Sequence, residues 1–298
     1  MALAPNPRHT PSLRGRRVLV TGGARGIGAA LAELLAAHGA QVAVLGLEPA
    51  LLEEVAGRCG GPWRECDVSD PAEVDEAVEG LVADLGGLDV VVANAGIARQ
   101  LPIIGGQRGV METHLAVNAL GTYYTLRAAG PHISHERGYA LATASLAAAI
   151  HLPLIGAYSV SKAAVEAIGN TLRLEIRHTG ARVGVAYYSE IDTDMTQRGF
   201  ATETAQLLTG GGTITGVTPL PTALRALERG IARRSRHVVA PPWLRPAVPG
   251  RAVAQRLAEL RLPATLADAI ELSRTERVGW TTDQPTTRAA RGPGSARD

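Results

Sequence analysis

A glycine-rich stretch near the start of the chain separates a short apolar segment from one rich in alanine and leucine. Residues 16–20 predict a strand and residues 29–38 predict a helix, with Gly22, Gly26 and Gly28 between them. A strand, a glycine turn and a helix are the context of a dinucleotide site, because glycines permit a tight turn and close approach to a pyrophosphate. The helix N-terminus would offer free N–H groups to the phosphates. An ordinary tight turn is the alternative.

The residue after the second predicted strand, residues 41–45, normally selects the cofactor. An acid there binds the adenosine ribose hydroxyls and repels a 2′-phosphate. Gly46 occupies this position, and Glu48 lies two residues later. Arg25, inside the glycine stretch, could meet a 2′-phosphate or could only cap or pack the turn. The pattern favours NADP(H).

Strand-like and helix-like segments alternate along most of the chain, up to a last predicted strand at residues 237–240. Hydrophobic residues make up 46% of the 298 residues and aromatic residues only 3%. Small and branched side chains of this kind are typical of buried parallel strands. We therefore predict an α/β fold with a Rossmann-like, doubly wound parallel sheet.

Two strand ends carry residues that suit a ligand. Asp67 and Val68 end the third predicted strand, and Asn94, Ala95 and Gly96 follow the fourth. Asp67 could accept a hydrogen bond from an adenine amino group, or it could be a surface acid. The small residues of the second turn suit close backbone approach to a ligand.

The composition disfavours several classes of function. The net charge is +2 and no basic stripe stands out, which argues against a nucleic-acid partner. Cys59 and Cys66 fit neither a disulfide framework nor a zinc pattern, so no metal site is expected. No signal-like segment and no apolar run long enough for a bilayer occurs, which favours the cytoplasm.

A tyrosine and a lysine four residues apart indicate acid–base chemistry. Tyr158 and Lys162 would share one face of a helix over residues 157–178. A nearby ammonium lowers the pKa of a phenol from its ordinary value of about 10, so Tyr158 could exchange a proton with a substrate oxygen. Ser145 could donate a hydrogen bond to the same oxygen. Taken alone, the pair could equally be an exposed contact.

Asn118 lies inside an apolar helix predicted over residues 108–129. A buried amide must satisfy its hydrogen-bonding groups or lose the free energy of their hydration. Asn118 would therefore either tie helices together or lie in a kinked helix whose freed carbonyl holds a water.

Taken together, these segments resemble the short-chain dehydrogenase/reductase (SDR) family over residues 13–240. The matching residues occur in the family's order and spacing, and they are the stretch 21–28, Asp67, Val68, Asn94, Ala95, Gly96, Asn118, Ser145, Tyr158, Lys162, Ile191 and Thr193.

The resemblance implies a seven-stranded Rossmann domain and an oxidoreductase that moves a hydride between NAD(P)(H) and a secondary alcohol or ketone. It implies the catalytic residues Asn118 (relay water), Ser145 (substrate oxygen), Tyr158 (general acid/base) and Lys162. Lys162 would lower the pKa of the tyrosine and hold the nicotinamide ribose. The cofactor-binding residues that we predict are Gly22, Arg25, Gly26, Ile27, Gly28, Asp67, Val68, Asn94, Ala95, Gly96, Tyr158, Lys162, Ile191 and Thr193.

The resemblance also implies a homodimer or homotetramer joined by the helices around Asn118 and Tyr158. The apolar character of the segment that we predict to form a lid, about residues 194–220, suggests a hydrophobic substrate. A dinucleotide-sensing or scaffolding protein and an isomerase or lyase that recycles its cofactor are alternatives. The four intact catalytic side chains argue against a sensor.

The sequence departs from the family pattern in two places. Gly46 replaces the cofactor-selecting acid, and residues 187–190 replace the Pro-Gly that usually precedes Thr193. Tyr188 or Glu190 could therefore face the substrate or cofactor, or could point to solvent or pack locally. The loss of a rigid Pro-Gly turn should change how this loop closes.

The domain organisation that we predict has five parts. A flexible tail, residues 1–12, precedes the domain over residues 13–240, whose lid covers about 194–220. Residues 241–280 form an extension that packs on the body of the enzyme or, alternatively, covers the substrate mouth, an interface or a membrane surface. Residues 281–298 form a disordered tail.

Overall fold

The computed structural model describes residues 12–213 and 215–281. Its centre is one parallel sheet of seven strands in the order β3-β2-β1-β4-β5-β6-β7, which confirms the predicted α/β, Rossmann-like fold. The strands are β1 Arg17–Thr21, β2 Gln41–Gly46, β3 Trp63–Glu65, β4 Val90–Ala93, β5 Tyr139–Thr143, β6 Arg182–Tyr188 and β7 His237–Ala240. The chain leaves β1 towards one edge of the sheet and β4 towards the other.

Helices cover both faces of the sheet. The helices are α1 Gly26–Ala37, α2 Pro49–Cys59, α3 Pro71–Leu85, α4 Arg108–His114, α5 Gly121–Ile133, α6 Gly156–Glu175, α7 Asp194–Phe200, α8 Glu203–Thr209, α9 Leu220–Arg233, α10 Arg251–Leu260 and α11 Leu266–Leu272. Apolar residues of α1, α2 and α9 form one core layer with the sheet, and those of α3, α5 and α6 form the other.

The strands are apolar along their length because both of their faces are buried. In β1, Leu19 contributes to one core layer while Val18 and Val20 contribute to the other, and all three are 0% exposed. Alternate side chains of a strand point to opposite faces, so a strand between two helical layers needs apolar residues at every position. This is why the small and branched composition indicates the fold.

Two predicted elements differ from the structure. The helix predicted over residues 108–129 is interrupted by a π-helical turn, Leu115–Leu120, and then continues to Ile133. The third strand ends at Glu65, so Asp67 and Val68 lie in the loop before α3. In both cases the apolar residues continue past the point where the backbone changes its geometry. Their pattern therefore does not reveal the change.

The segment after β7 has two kinds of contact with the body. Leu244 and Val248 are buried in the core layer of α6, and Ala269 of α11 is 0% exposed. By contrast, α10 buries no residue, and Val253, Leu257 and Leu260 are exposed. The division into a body, a lid and an extension stays a prediction, and residues 1–11 and 282–298 of the predicted tails lie outside the described residues.

Among the residues that the structure describes, no helix combines the length and apolarity needed to cross a bilayer. Nor does any group of three or more His, Cys, Asp or Glu in this part of the chain lie close enough together to bind a metal ion.

Two helical glycines give a matched test of how closely the helices approach the sheet. A Cβ at Gly230 of α9 would lie 2.3 Å from Val238 Cγ2, whereas a Cβ at Gly57 of α2 would meet no atom within 4 Å. Gly230→Ala should therefore lower the free energy of unfolding by about 1–3 kcal/mol through overpacking. Gly57→Ala should raise it by up to about 1 kcal/mol, because alanine is the better helix former.

Urea denaturation of both variants and the wild type measures these changes. A Gly230→Ala protein as stable as Gly57→Ala would show that α9 does not depend on this close contact with β7.

Candidate active site

A cleft opens at the carboxyl edge of the sheet, where the chain leaves β1 and β4 in opposite directions. Ligands of open α/β sheets bind at such switch points. Of the predicted site residues, all but two line this cleft. The exceptions are Gly28 and Asn118; Gly28 packs beneath the glycine turn, and Asn118 is 0% exposed.

The glycine turn allows a very close approach between β1 and β4. Gly22 has a positive φ of 64°, and a Cβ there would lie 2.8 Å from Ala95 Cα. A Cβ at Gly28 would lie 2.1 Å from the Gly22 carbonyl oxygen. Helix α1 begins at Gly26, and the side chain of its N-cap residue, Arg25, makes no capping hydrogen bond. Its first N–H groups are therefore available to a phosphate.

Thr21 and Asn94 join the ends of β1 and β4. The Thr21 hydroxyl accepts hydrogen bonds from the backbone N–H groups of Asn94 and Ala95, each at 3.0 Å. The Asn94 side-chain amide donates to the Thr21 carbonyl at 3.2 Å. Asn94 thus lines the cleft and holds the glycine turn in place.

At the end of the cleft beside β2 and β3, the structure decides between the two interpretations of Asp67. Asp67 is 2% exposed, so it is not a surface acid. Its Oδ1 accepts from the Ser69 N–H at 2.9 Å and the Ser69 hydroxyl at 2.7 Å. Nearby, Arg25 forms an ion pair with Glu48, with 2.9 Å between Nε and Oε2, and both residues line the cleft beside Gly46.

Ser145, Tyr158 and Lys162 meet at the inner end of the cleft. Tyr158 lies in the first turn of α6, and the Lys162 ammonium is 5.7 Å from the centroid of its ring. Lys162 is 4% exposed and donates to the Thr143 carbonyl at 2.9 Å, so the pair is not an exposed surface contact. The Ser145 hydroxyl follows β5 and donates to the Tyr188 carbonyl at 3.3 Å.

The pKa values in this corner differ from the sequence expectation. Burial lowers the pKa of Lys162 from 10.5 to about 8. Burial raises the pKa of Tyr158, and its interaction with the Ser145 hydroxyl only partly offsets this effect. The expected lowering of the Tyr158 pKa is therefore wrong for this structure, because loss of hydration outweighs the favourable neighbours.

Asn118 is a buried amide that joins two parts of the fold, which is one of the two roles that the sequence left open; the water held by a freed carbonyl stays a prediction. Its Oδ1 accepts from the Ile97 N–H at 2.8 Å, and its Nδ2 donates to the Ile97 carbonyl at 3.0 Å and to Ser161 Oγ at 2.9 Å. Asn118 therefore ties the loop after β4 to α6. It also lies in the π-helical turn, in which the Gly121 N–H bonds to the Ala116 carbonyl.

The residues of the loop that replaces Pro-Gly, residues 187–190, have different surroundings. Glu190 packs locally, since its carboxylate accepts from the Thr215 N–H at 3.1 Å and from the Thr215 hydroxyl. Tyr188 and Ser189 line the cleft instead. Within the described part of the chain, the buried Ser189 Oγ has no hydrogen-bond partner. Ile191 and Thr193 follow at the same wall of the cleft.

Several residues at the site were missed by the sequence analysis. Ser161 links Asn118 to the Tyr158 carbonyl, and His114 lies with its ring centroid 6.2 Å from that of Tyr158. Helical spacing could have indicated His114, which precedes Asn118 by four residues. Nothing local in the sequence signals Trp280 or Thr281, which reach the site from far along the chain.

Comparison with known proteins identifies related chains. Residues 16–204 match a family described as short chain dehydrogenase. D-threitol dehydrogenase of Mycolicibacterium smegmatis is 33% identical over 189 residues, which cover 61% of this chain and 73% of that protein. The 11-beta-hydroxysteroid dehydrogenase 1A of Arabidopsis thaliana is 30% identical over 250 residues, covering 78% and 70%. Secoisolariciresinol dehydrogenase of Forsythia intermedia is 33% identical over 177 residues, covering 57% and 64%.

Proposed function

Because the chain belongs to the short-chain dehydrogenase family, and is thus an oxidoreductase, we propose that it transfers a hydride between NAD(P)(H) and a secondary alcohol or ketone. The observation that carries this proposal is the meeting of Ser145, Tyr158 and Lys162 in a cleft whose other end is the glycine turn. The cofactor supplies the hydride chemistry when bound, and the protein supplies position and proton transfer.

The residues of the cleft fit a dinucleotide. The uncapped N-terminus of α1 suits the phosphates, and Asp67 with Val68 suits the adenine. Lys162 has three N–H donors, and the only acceptor of its hydrogen bonds among the described residues is the Thr143 carbonyl. The remaining donors suit the hydroxyls of the nicotinamide ribose. Ile191 and Thr193 would contact the carboxamide.

We assign proton transfer to Tyr158. In ketone reduction its hydroxyl donates a proton to the carbonyl oxygen, and in alcohol oxidation its phenolate accepts one. Ser145 orients the substrate oxygen by a hydrogen bond. Asn118 keeps the loop after β4 against α6, which fixes the position of both helix-borne groups. The relay water implied by the family resemblance stays part of this proposal.

Tyr158 and Lys162 are expected to lose their protons at different pH values. Burial lowers the pKa of Lys162 to about 8 and raises the pKa of Tyr158 above its ordinary value, so the ammonium loses its proton first. Near pH 8 the site therefore changes from an ammonium beside a phenol to a neutral amine beside a phenol. Alcohol oxidation needs the phenolate of Tyr158, and ketone reduction needs its phenol.

The kcat/KM for alcohol oxidation should therefore still be rising at about pH 10, because burial raises the pKa of Tyr158, while ketone reduction keeps the phenol that it needs up to this pH. Tyr158→Phe should lower both by about 10²–10⁴-fold and remove the pH dependence. Initial rates, followed by nicotinamide absorbance from about pH 6 to 10, measure these effects.

Tyr123→Phe, which lies outside the cleft and keeps the apolar ring of this α5 residue, is the matched control and should keep both rates. Undiminished turnover in Tyr158→Phe would refute the assigned acid/base. Cofactor binding without any net absorbance change across a panel of alcohols and ketones would instead indicate a sensor, or an isomerase or lyase.

The substrate that we propose is a hydrophobic secondary alcohol or ketone. Ile97, Val117, Ala144 and Met195 give the inner part of the cleft an apolar lining. The relatives are named for D-threitol, 11-beta-hydroxysteroids and secoisolariciresinol, so their names do not agree on one substrate. A screen in which only small charged compounds react would contradict this choice.

We propose NADP(H) as the preferred cofactor. Gly46 leaves the selecting position without an acid, and Arg25 provides a cation at the same rim of the cleft. The Glu48 carboxylate pairs with Arg25 and opposes this preference, because it competes with a 2′-phosphate for the guanidinium. Arg25 therefore makes the cleft favour NADP(H) over NAD(H), and Glu48 limits how large this preference is.

Arg25→Gln should weaken NADP(H) binding about tenfold, or about 1.4 kcal/mol, and change NAD(H) binding little. Glu48→Gln should tighten NADP(H) binding by a few fold. Calorimetric titration of the wild type, both variants and the exposed control Arg108→Gln measures the affinities. A wild-type preference for NAD(H) of more than about tenfold would overturn the proposal.

We also propose a homodimer or homotetramer that assembles through α5 and α6. Exposed apolar side chains on and beside these helices support this interface, namely Leu120, Tyr123, Val160 and Leu174. A cytoplasmic location stays a prediction.

A further inference from the structure

The segment after α11 returns to the mouth of the cleft. We name residues 276–281 the strap. At its end, both the N–H and the hydroxyl of Thr281 donate to the Ala98 carbonyl, at 3.0 and 2.9 Å. Thr281 is 6% exposed and lines the cleft together with Gly96, Ser145 and Tyr158. The strap thus forms the wall beside the loop that follows β4.

Trp280 of the strap packs against the residues that support the catalytic tyrosine. The centroid of the Trp280 ring lies 5.2 Å from that of His114. The Arg99 guanidinium lies over the Trp280 ring, 5.6 Å from its centroid. The Arg99 Nε donates to the Val278 carbonyl at 2.8 Å, so Arg99 also holds the strap through its backbone. His114 in turn meets the edge of the Tyr158 ring. A continuous row of rings therefore leads from Trp280 to the acid/base.

His114 is held rigidly in this row. It is 0% exposed, its Nδ1 donates to the Val110 carbonyl at 2.7 Å, and its Nε2 accepts from the Arg99 N–H at 3.2 Å. Burial lowers the pKa of His114, which agrees with a neutral ring that donates at one nitrogen and accepts at the other. The ring has no spare hydrogen-bonding group, so it acts as a spacer between Trp280 and Tyr158.

The strap also holds the lid helices. The Glu276 carboxylate accepts from the N–H groups of Glu203 and Thr204, at 2.8 and 3.1 Å, in the first turn of α8. At the other end, the Thr281 methyl group lies 3.9 Å from where a Cβ on Gly199 of α7 would stand. The strap therefore bridges the loop after β4 and both lid helices.

From these contacts we infer that the strap is the substrate-side wall of the cleft, with Thr281 limiting the size of the group beside the reacting carbon and Trp280 anchoring the strap on His114. The inference rests on the proposed oxidoreductase function and narrows its substrate to secondary alcohols and ketones with a compact alkyl group on this side. Trp280 is a positioning residue, which acts on the wall through Thr281 and on Tyr158 through His114.

Trp280→Ala removes the ring that anchors the strap on His114, so the wall at Thr281 should yield and larger substituents should enter. The ratio of kcat/KM for acetophenone to that for butanone should rise about tenfold or more relative to the wild type. Trp280→Phe keeps a ring on His114 and should retain the wild-type ratio. Trp243→Ala, at a tryptophan that is 62% exposed on the segment after β7, is the matched control. Cofactor affinity, measured by calorimetry, should stay constant in all variants.

A ratio unchanged in Trp280→Ala, or equally changed in Trp243→Ala, would overturn the inference. An equal loss for both ketones would also overturn it, since that result marks a merely structural role. If the wild type reduces neither ketone nor any other tested compound, the proposed function fails first, and a second measurement then tests the strap.

Hydrogen exchange of the full chain provides this second measurement. Glu276→Ala should accelerate exchange at the N–H groups of Glu203 and Thr204 by about tenfold or more, while amides of β4 keep their rates. Glu271→Ala, an exposed glutamate of α11, is the control. Unchanged exchange in α8 would show that the strap does not hold the lid and would overturn this part of the inference.

Discussion

The buried ammonium of Lys162 is the feature on which the site depends. It lies among β4, β5 and α6, where the Thr143 carbonyl accepts its hydrogen bond and Gly96 leaves room for it; a Cβ at Gly96 would stand 3.2 Å from Nζ. A pKa lowered to about 8 means that burial disfavours the charged form by roughly 3 kcal/mol. The fold bears this cost beside Tyr158, where a phenolate would recover it. A charge kept at such expense is a mark of a functional group rather than of a stabilising one.

Much of the fold and the cleft could be predicted because each signal is local. A strand that is buried on both faces must be apolar throughout, and a close turn needs glycine. A few residues are therefore enough to predict β1 and the turn that follows it. Parallel strands bring their carboxyl ends to one edge, which is why Asn94, Ser145 and Ile191 meet although they lie far apart in the chain.

What could not be predicted depends on contacts between distant segments. The raised pKa of Tyr158 follows from how much protein surrounds the ring, and no local spacing reports that. Thr281 bonds to Ala98 across 183 positions, so its place in the cleft has no signal in either stretch. The sequence also could not show that Ser189 lines the cleft while Glu190 packs locally, because adjacent residues of an irregular loop point in different directions.

The segment that we predict to form a lid makes polar contacts with the rest of the domain at several points. Glu190 binds Thr215, Glu276 binds the first turn of α8, and the Gln100 side chain donates to the Gly199 carbonyl at 2.9 Å. A bond to a carboxylate contributes about 1.5–3 kcal/mol net and a bond between neutral groups about 0.5–1.5 kcal/mol, and water can replace either. A rigid sheet and a segment that a few polar bonds hold over its edge are therefore compatible in one domain, because their free energies come from different interactions.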